Sequence, residues 1–423
     1  MPLKAVADYM VSNVDKHSFE DEIPVRLCNY TDVYKNEFIH PGMDLMQATA
    51  TEAEIEKFQL RVADVIITKD SESWDDIAIP ALVTETADDM VCGYHLAMIR
   101  ASDARLDGAF LFRILQSRDI RLPLELASTG VTRFGLGKED IGKLDIPVPP
   151  IQVQRRIAEY LTTETKRIDE MVDEGKRLLS LLGKKRVAQI CDAITRGINA
   201  DAPLNPSVLP WLGSIPEHWV VMRLKYICKI GNGSTPTVDK VDYWAVDEVD
   251  GFPWLNSSVV NEAVVTQPSR FVTDLALSAC HLPRIDAPAV LVGITGQGKT
   301  RGMAAVLGID ATINQHLAFL KPVDDEVDCH YLGLSLGVAY NYLRSESDGA
   351  GSTKGAITCE QLGNFRIPLP PRQEQLDIVA YLAAEKEKIE ELENALQASI
   401  GLLIERRRAL ITSAVTGQLS DLL

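Results

Sequence analysis

The chain is 423 residues long and contains no apolar run approaching the roughly 18 residues that a membrane span needs. The stretch from Met1 to Lys16 lacks the basic-then-apolar order of a secretion signal, so a cytoplasmic protein is expected. Cysteine is scarce. The seven present (Cys28, Cys92, Cys191, Cys228, Cys280, Cys329, Cys359) are odd in number, widely spaced and never arranged as C-x-x-C, which speaks against a disulfide framework or a zinc site. The seven histidines form no H-E-x-x-H, so no metal is expected. There is no G-x-S-x-G elbow, no G-x-G-x-x-G after a strand, no Asn/Asp-Pro-Pro-aromatic methyltransferase motif and no spaced acid-and-lysine nuclease core. Positive charge is also short, with 43 Lys and Arg against 60 Asp and Glu, a net charge of −17. Phosphate contact would therefore have to come from local patches or from a basic partner. These absences point to a binder rather than a catalyst.

What the chain does have is one long segment written twice. Ile146 to Thr195 returns as Ile367 to Thr416 at a constant offset of 221 residues. Ile146-Pro-Val-Pro-Pro150 meets Ile367-Pro-Leu-Pro-Pro371, Gln152 meets Gln373, Gln154 meets Gln375 and Ile157 meets Ile378. Length alone suggests two or three domains, and the repeat favours two, related by a pseudo-two-fold. Each copy opens with a proline-rich extended lead-in, and a helix is expected to follow at once.

In the second copy Leu382, Ile389, Leu396, Leu403 and Leu410 recur every seven residues, the spacing of a coiled-coil seam. The first copy keeps the seam at Leu161, Ile168 and Leu182 but interrupts it at Gly175 and Gln189. Two such stripes, each running for about 40 residues and so roughly 60 Å of helix, predict that the two helices pair within the chain. Basic clusters Lys184-Lys-Arg186 and Arg406-Arg-Arg408 occupy nearly the same place in both, suited to a DNA backbone or a partner protein.

The segments ahead of the helices read as mixed α/β, with short apolar runs separated by Gly, Asp and Ser turns. Their kinship is weaker. His95-Leu-Ala97 and His316-Leu-Ala318 share the 221 offset, as do Thr132-Arg133 and Thr353-Lys354, while Val25-Arg-Leu27 resembles Met222-Arg-Leu224 at 197 and suggests an insertion. Asn199 to Pro216, with four prolines, reads as a linker. Donors suited to base edges or phosphates sit in turn-rich sequence: Lys69, Ser71, Ser73, Thr132 and Arg133 in the first segment, Lys225, Lys229, Asn232, Ser234, Thr235, Thr353 and Lys354 in the second.

One motif points elsewhere. Gly293-Ile-Thr-Gly-Gln-Gly298-Lys299-Thr300 matches the G-x-x-x-x-G-K-[ST] phosphate loop and follows the apolar run Ala289 to Val292. A phosphate loop requires a helix starting at the lysine, yet Arg301 to Gly308 holds two glycines and reads as the return strand of a hairpin. Nucleotide hydrolysis is thus an alternative reading, and a Lys299/Thr300/Arg301 loop that touches DNA phosphate is preferred.

The duplicated I-P-[VL]-P-P-x-x-x-Q-x-x-I-x-x-Y-L motif at Ile146 to Leu161 and Ile367 to Leu382, together with Leu209-Pro-Trp-Leu-Gly-Ser-Ile-Pro-Glu-His-Trp219 and the terminal Ala409 to Gly417, resembles the specificity subunit of a Type I restriction-modification system over nearly the whole chain. The resemblance implies an α+β protein with target-recognition domains at 1–150 and 217–371. Spacer helices would lie at 151–197 and 372–423 and a linker at 198–216, the helices forming an antiparallel intramolecular coiled coil that separates the domains. It also implies a non-catalytic subunit that reads a bipartite, asymmetric sequence in double-stranded DNA. Two methyltransferase and two restriction subunits would be its partners, with S-adenosylmethionine, ATP and magnesium in those partners and none here. A coiled-coil scaffold without DNA readout is the remaining alternative.

Overall fold

The computed structural model describes all residues except 103, 208, 210, 297, 349–354 and 420–423. The chain divides into two compact units, one of residues 1–178 with 395–423 and one of 179–394.

In the first unit, ten strands run in chain order among the described residues: β1 (Ala7–Val11), β2 (Ile23–Cys28), β3 (Phe38–Ile39), β4 (Met46–Ala50), β5 (Val65–Thr68), β6 (Asp70–Ser71), β7 (Pro80–Val83), β8 (Met90–Cys92), β9 (Leu96–Ala101) and β10 (Phe134–Gly135). Five form a sheet in the order β1-β9-β5-β7-β3, antiparallel throughout except that β3 runs parallel to β7. A smaller sheet, β4-β2-β8, stands beside it. Every residue of β5 and β7 is buried, which explains why both read as unbroken apolar runs rather than as alternation. The helix Gly108–Gln116 buries Phe110, Leu111, Ile114 and Leu115 in the core that holds Val65, Ile67 and Ile99.

In the second unit the strands are β11 (Leu204–Pro206), β12 (Ser214–Pro216), β13 (Val220–Arg223), β14 (Cys228–Asn232), β15 (Trp244–Ala245), β16 (Phe252–Leu255), β17 (Val264–Val265), β18 (Arg270–Val272), β19 (Ala289–Gly293), β20 (Ala304–Leu307), β21 (Thr312–Ile313), β22 (Leu317–Pro322) and β23 (Arg366–Leu369). The main sheet here is β14-β22-β19-β20-β17, and again only the last strand, β17, is parallel to its neighbour. Strand order and sense repeat those of the first unit, and at the β14–β22 pair the register does too. Ala7 opposes Ala101 as Cys228 opposes Pro322, each member displaced by the same 221 residues.

That register corrects one sequence expectation. The counterpart of Met222-Arg-Leu224 is Met1-Pro-Leu3, not Val25-Arg-Leu27. Leu224 N–H donates to the Phe365 carbonyl at 2.9 Å, and Leu3 N–H donates to the Leu144 carbonyl at 2.9 Å, one repeat earlier. Val25, Arg26 and Leu27 lie instead in β2 of the side sheet, paired with β4 and β8. A three-residue match is too short to fix an alignment when a strand's backbone pairing decides it.

The repeated lead-in has a mechanical reason. Gln154 and Gln375 are both fully buried. Gln154 Oε1 accepts the Asp107 backbone N–H at 2.9 Å while Nε2 donates to the carbonyls of Arg105 and Pro149 at 2.9 and 2.7 Å. Gln375 repeats this with the Asp328 N–H at 2.8 Å and the carbonyls of Glu326 and Pro370, both at 2.9 Å. Asp107 and Asp328 are in turn the N-caps of Gly108–Gln116 and Cys329–Val338, so one amide side chain ties each long helix to the helix that backs its sheet. A buried amide satisfied at both ends tolerates few substitutes.

The long helices span Ile151–Arg196 and Arg372–Val415, 46 and 44 residues, or about 69 and 66 Å at 1.5 Å per residue. Each begins directly after a proline and is followed by a glycine with φ of +75°, Gly197 or Gly417, the left-handed conformation that stops a helix. Within the first unit, Leu161 shares a core with Ile411, Arg407 Nε lies 2.9 Å from Asp169, and Ile400 fills the space beside Gly175. Within the second, Ile194 shares a core with Ile378, Gln189 Nε2 donates to Glu385 at 3.0 Å, and Arg186 lies 3.9 Å from Glu390. In both units the partner number falls as the residue number rises, which is the antiparallel sense. Of the seam residues, Leu161, Ile168, Leu382 and Ile389 are buried, and Leu182, Leu396, Leu403 and Leu410 are half-buried.

The basic clusters are partly consumed by this pairing. Arg186 and Arg407 are repeat-equivalent, and so are the acids they meet, Glu390 and Asp169. Arg407 also donates to both carboxylate oxygens of Glu37, at 2.7 and 2.8 Å. Lys184, Lys185, Arg406 and Arg408 remain on the outside.

Candidate nucleic-acid interface

Most of the polar residues singled out from the sequence collect at one end of each main sheet, where the antiparallel pairing puts the end of β5 beside the start of β9, and the ends of β14 and β19 beside the start of β22. In the first unit the centre of this edge is His95, just ahead of β9. Its Nδ1 lies 2.7 Å from an oxygen of Asp70, which Lys69 Nζ also approaches at 3.0 Å. Arg133 Nη2 lies 3.3 Å from His95 Nε2, and the Tyr94 ring packs on the imidazole at 3.7 Å between centroids. A carboxylate can only accept, so Nδ1 carries the proton and Nε2 accepts from Arg133. Lys69 and Arg133 are therefore brought together through Asp70 and His95. Thr132 is exposed next to them, and Ser73 bonds Asp75 in the adjoining turn. Ser71 departs from expectation: it pairs with Phe134 in the β6–β10 ribbon and is 5% exposed, so it presents nothing to a duplex.

In the second unit His316 occupies the same position ahead of β22. Its Nδ1 lies 2.6 Å from Thr295 Oγ1, and its Nε2 lies 3.2 Å from Gln315 Nε2. Gln315 Oε1 accepts from Thr235 Oγ1 at 2.5 Å. Asn232 at the end of β14, Ser234 and Thr235 join this edge, Ser234 through its N–H to the Ile313 carbonyl at 3.0 Å. Lys225 does not. It lies beyond the other end of β14, bonded to Asn364 Oδ1 at 2.8 Å, and Lys229 sits near that end, opposite Lys321. Thr353 and Lys354 lie outside the described residues.

The described residues of the Gly293–Thr300 motif lie between the two strands of a hairpin. β19 pairs antiparallel with β20, Val292 opposite Ala304, and no helix begins at Lys299. Arg344 Nη1 donates to the carbonyls of Gly298 and Arg301 at 2.6 and 3.1 Å, and Tyr340 Oη donates to that of Lys299 at 2.8 Å. The loop turns carbonyl oxygens inward onto a cation, the reverse of the N–H cradle a phosphate requires. This geometry does not support the nucleotide-hydrolysis alternative. Lys299 is exposed and Thr300 half-exposed on this edge, but Arg301 is 4% exposed and offers no guanidinium to DNA.

Sequence reasoning missed Asp70, His95, Thr295, Gln315 and His316 as a set. The signal was the His-Leu-Ala repeat at 95 and 316, read only as a marker of kinship. Among the described residues no group of three or more His, Cys, Asp or Glu side chains could hold a metal ion, and no helix is long and apolar enough to cross a membrane.

Comparison with known proteins agrees with the repeat. The Type I restriction modification DNA specificity domain matches twice, over residues 19–174 and 216–401. A relative from Methanocaldococcus jannaschii, provisionally named as the MjaX type I restriction enzyme specificity subunit, is 23% identical over 363 residues, 83% of this chain and 80% of its own length. The EcoR124I/EcoR124II specificity subunit of Escherichia coli is 22% identical over 42% of each chain. Among solved structures, the HsdS subunit from Thermoanaerobacter tengcongensis superposes with a TM-score of 0.61 at 21% identity, covering 99% of this chain and 96% of that one. A chain from a study of complex assembly and conformational transition of the type I R-M system reaches 0.69 at 21% identity, covering 98% and 96%. With two specificity-domain matches spanning most of its length, a repeated mixed helix-and-sheet fold and a long helix between the matches, this chain belongs to the family of Type I restriction-modification DNA specificity subunits.

Proposed function

We propose that this chain is the non-catalytic addressing subunit of a cytoplasmic Type I restriction-modification complex and reads a bipartite, asymmetric sequence in double-stranded DNA. Residues 1–150 and 217–371 each read one half, and 151–197 and 372–423 set the unread spacer and receive two methyltransferase subunits. Two restriction subunits complete the assembly. S-adenosylmethionine, ATP and magnesium belong to the partners.

One observation carries this reading. The two units repeat strand order and the buried glutamine tie, yet differ in the polar side chains at the same sheet edge: Lys69, Asp70 and Arg133 in one, Thr235, Thr295 and Gln315 in the other. A common frame with different donors is what two readers of different sequences require, because base pairs are told apart by donor and acceptor pattern in the major groove. The net charge of −17 fits a subunit whose partners supply much of the phosphate contact. Single-molecule sequencing of DNA methylated by the reconstituted complex should show a two-part adenine-methylation motif with an unread gap. A continuous motif would remove the reading.

A further inference from the structure

At the sheet edge of each unit a histidine is clamped through Nδ1 and turns Nε2 toward one long hydrogen-bonding side chain. Asp70 clamps His95 at 2.7 Å and Thr295 Oγ1 lies 2.6 Å from His316 Nδ1. The two histidines are repeat-equivalent, each one residue ahead of the strand that pairs with β5 or β19. The side chains they hold differ in origin and chemistry. Arg133 comes from the loop between Ser128 and Gly135, and Gln315 directly precedes its histidine in sequence.

Both are exposed, and both keep capacity after this contact. Arg133 uses one Nη2 proton on His95, which leaves N–H donors in the fork that matches the O6/N7 edge of guanine. Gln315 gives one Nε2 proton to His316 and accepts from Thr235 through Oε1. That leaves a second N–H and a second lone pair, the donor-and-acceptor pair that matches the N7/N6 edge of adenine. Fixing a flexible side chain before binding removes part of the entropy cost of ordering it, and that separates a built reading position from an ordinary surface residue.

We infer that His95 and His316 are matched positioning residues that aim Arg133 at a guanine in one half-site and Gln315 at an adenine in the other. The inference rests on the bipartite reading above and deepens it to named bases.

The test uses the reconstituted complex and duplexes carrying its mapped motif, with every recognised base pair replaced in turn, and affinities measured at fixed salt. The wild-type complex should discriminate guanine at one position of one half and adenine at one position of the other, each by roughly 5- to 150-fold. Arg133→Ala should flatten discrimination at that guanine alone and Gln315→Ala at that adenine alone, with the other positions unchanged. His95→Ala should weaken the guanine discrimination part-way, since Arg133 remains but is no longer held. Unchanged discrimination at every position would overturn the inference. So would a uniform loss across all duplexes, the signature of a phosphate contact or a structural role. A wild-type complex without a two-part motif would instead sink the reading on which it rests, so the two failures are distinguishable.

Discussion

At the scale of single residues, the most constrained side chains are the paired glutamines. Removing the buried Gln154 amide takes away the partner of the Asp107 N–H and of the carbonyls of Arg105 and Pro149. Gln154→Ala and Gln375→Ala should each cost on the order of 3 kcal/mol. The denaturant midpoint would show it, and a change below about 0.5 kcal/mol, the level of an ordinary surface substitution, would mean the tie is dispensable. The cysteines give an independent check on the cores. Burial raises the thiol pKa of Cys28 and Cys92 well above the ordinary range and pushes Cys228 up to about 12 and Cys329 to about 11. Thiolate is the reactive form, so at pH 8 these four should resist alkylation. The half-buried Cys191, Cys280 and Cys359 should react first in mass-spectrometric mapping of the native protein. The expectation of unpaired thiols could be read from composition. Their order of reactivity could not, because it depends on which strands cover them.

At the scale of elements, the long helices were the most legible part of the sequence and also hold its least expected detail. A seven-residue stripe is a local pattern, and Leu161, Leu382 and Ile389 follow it into buried positions. Gly175, which breaks the stripe, reads as a gap when residues are scored singly, yet it receives Ile400 from the other helix, far away in sequence. A methyl at Gly175 would meet Ile400 Cγ1 at 2.9 Å, while one at Gly183 would meet nothing within 4 Å. Alanine normally improves a helix interior over glycine by about 1 kcal/mol. Gly183→Ala should therefore raise the melting temperature, and Gly175→Ala should leave it level or lower it. If both rise equally, Ile400 does not seat against Gly175. The short strands were far less legible. β3, β6, β10, β15, β17 and β21 are two residues long, too brief for any period, and their pairing is decided by residues distant in the chain. The same limit produced the mistaken alignment of Val25-Arg-Leu27, and it hid Asp70 and Thr295, whose value lies in the histidine each one meets.

At the scale of the whole molecule, the sequence repeat marks off two matched segments. The 221 offset extends to the first residues, where Met1 N–H donates to the Ile146 carbonyl at 3.0 Å and Pro2 bridges Asp145. The first residues of the first unit are thus held against the lead-in to its long helix. The most direct measurement exchanges residues 1–145 for the matching segment of another specificity subunit, reconstitutes the complex with its methyltransferase subunits and maps methylated bases by single-molecule sequencing. The predicted result is a two-part motif in which one half changes while the other half and the gap between them are retained. A motif unchanged by the exchange, or altered in both halves, would contradict the assignment of one half-site to each reader.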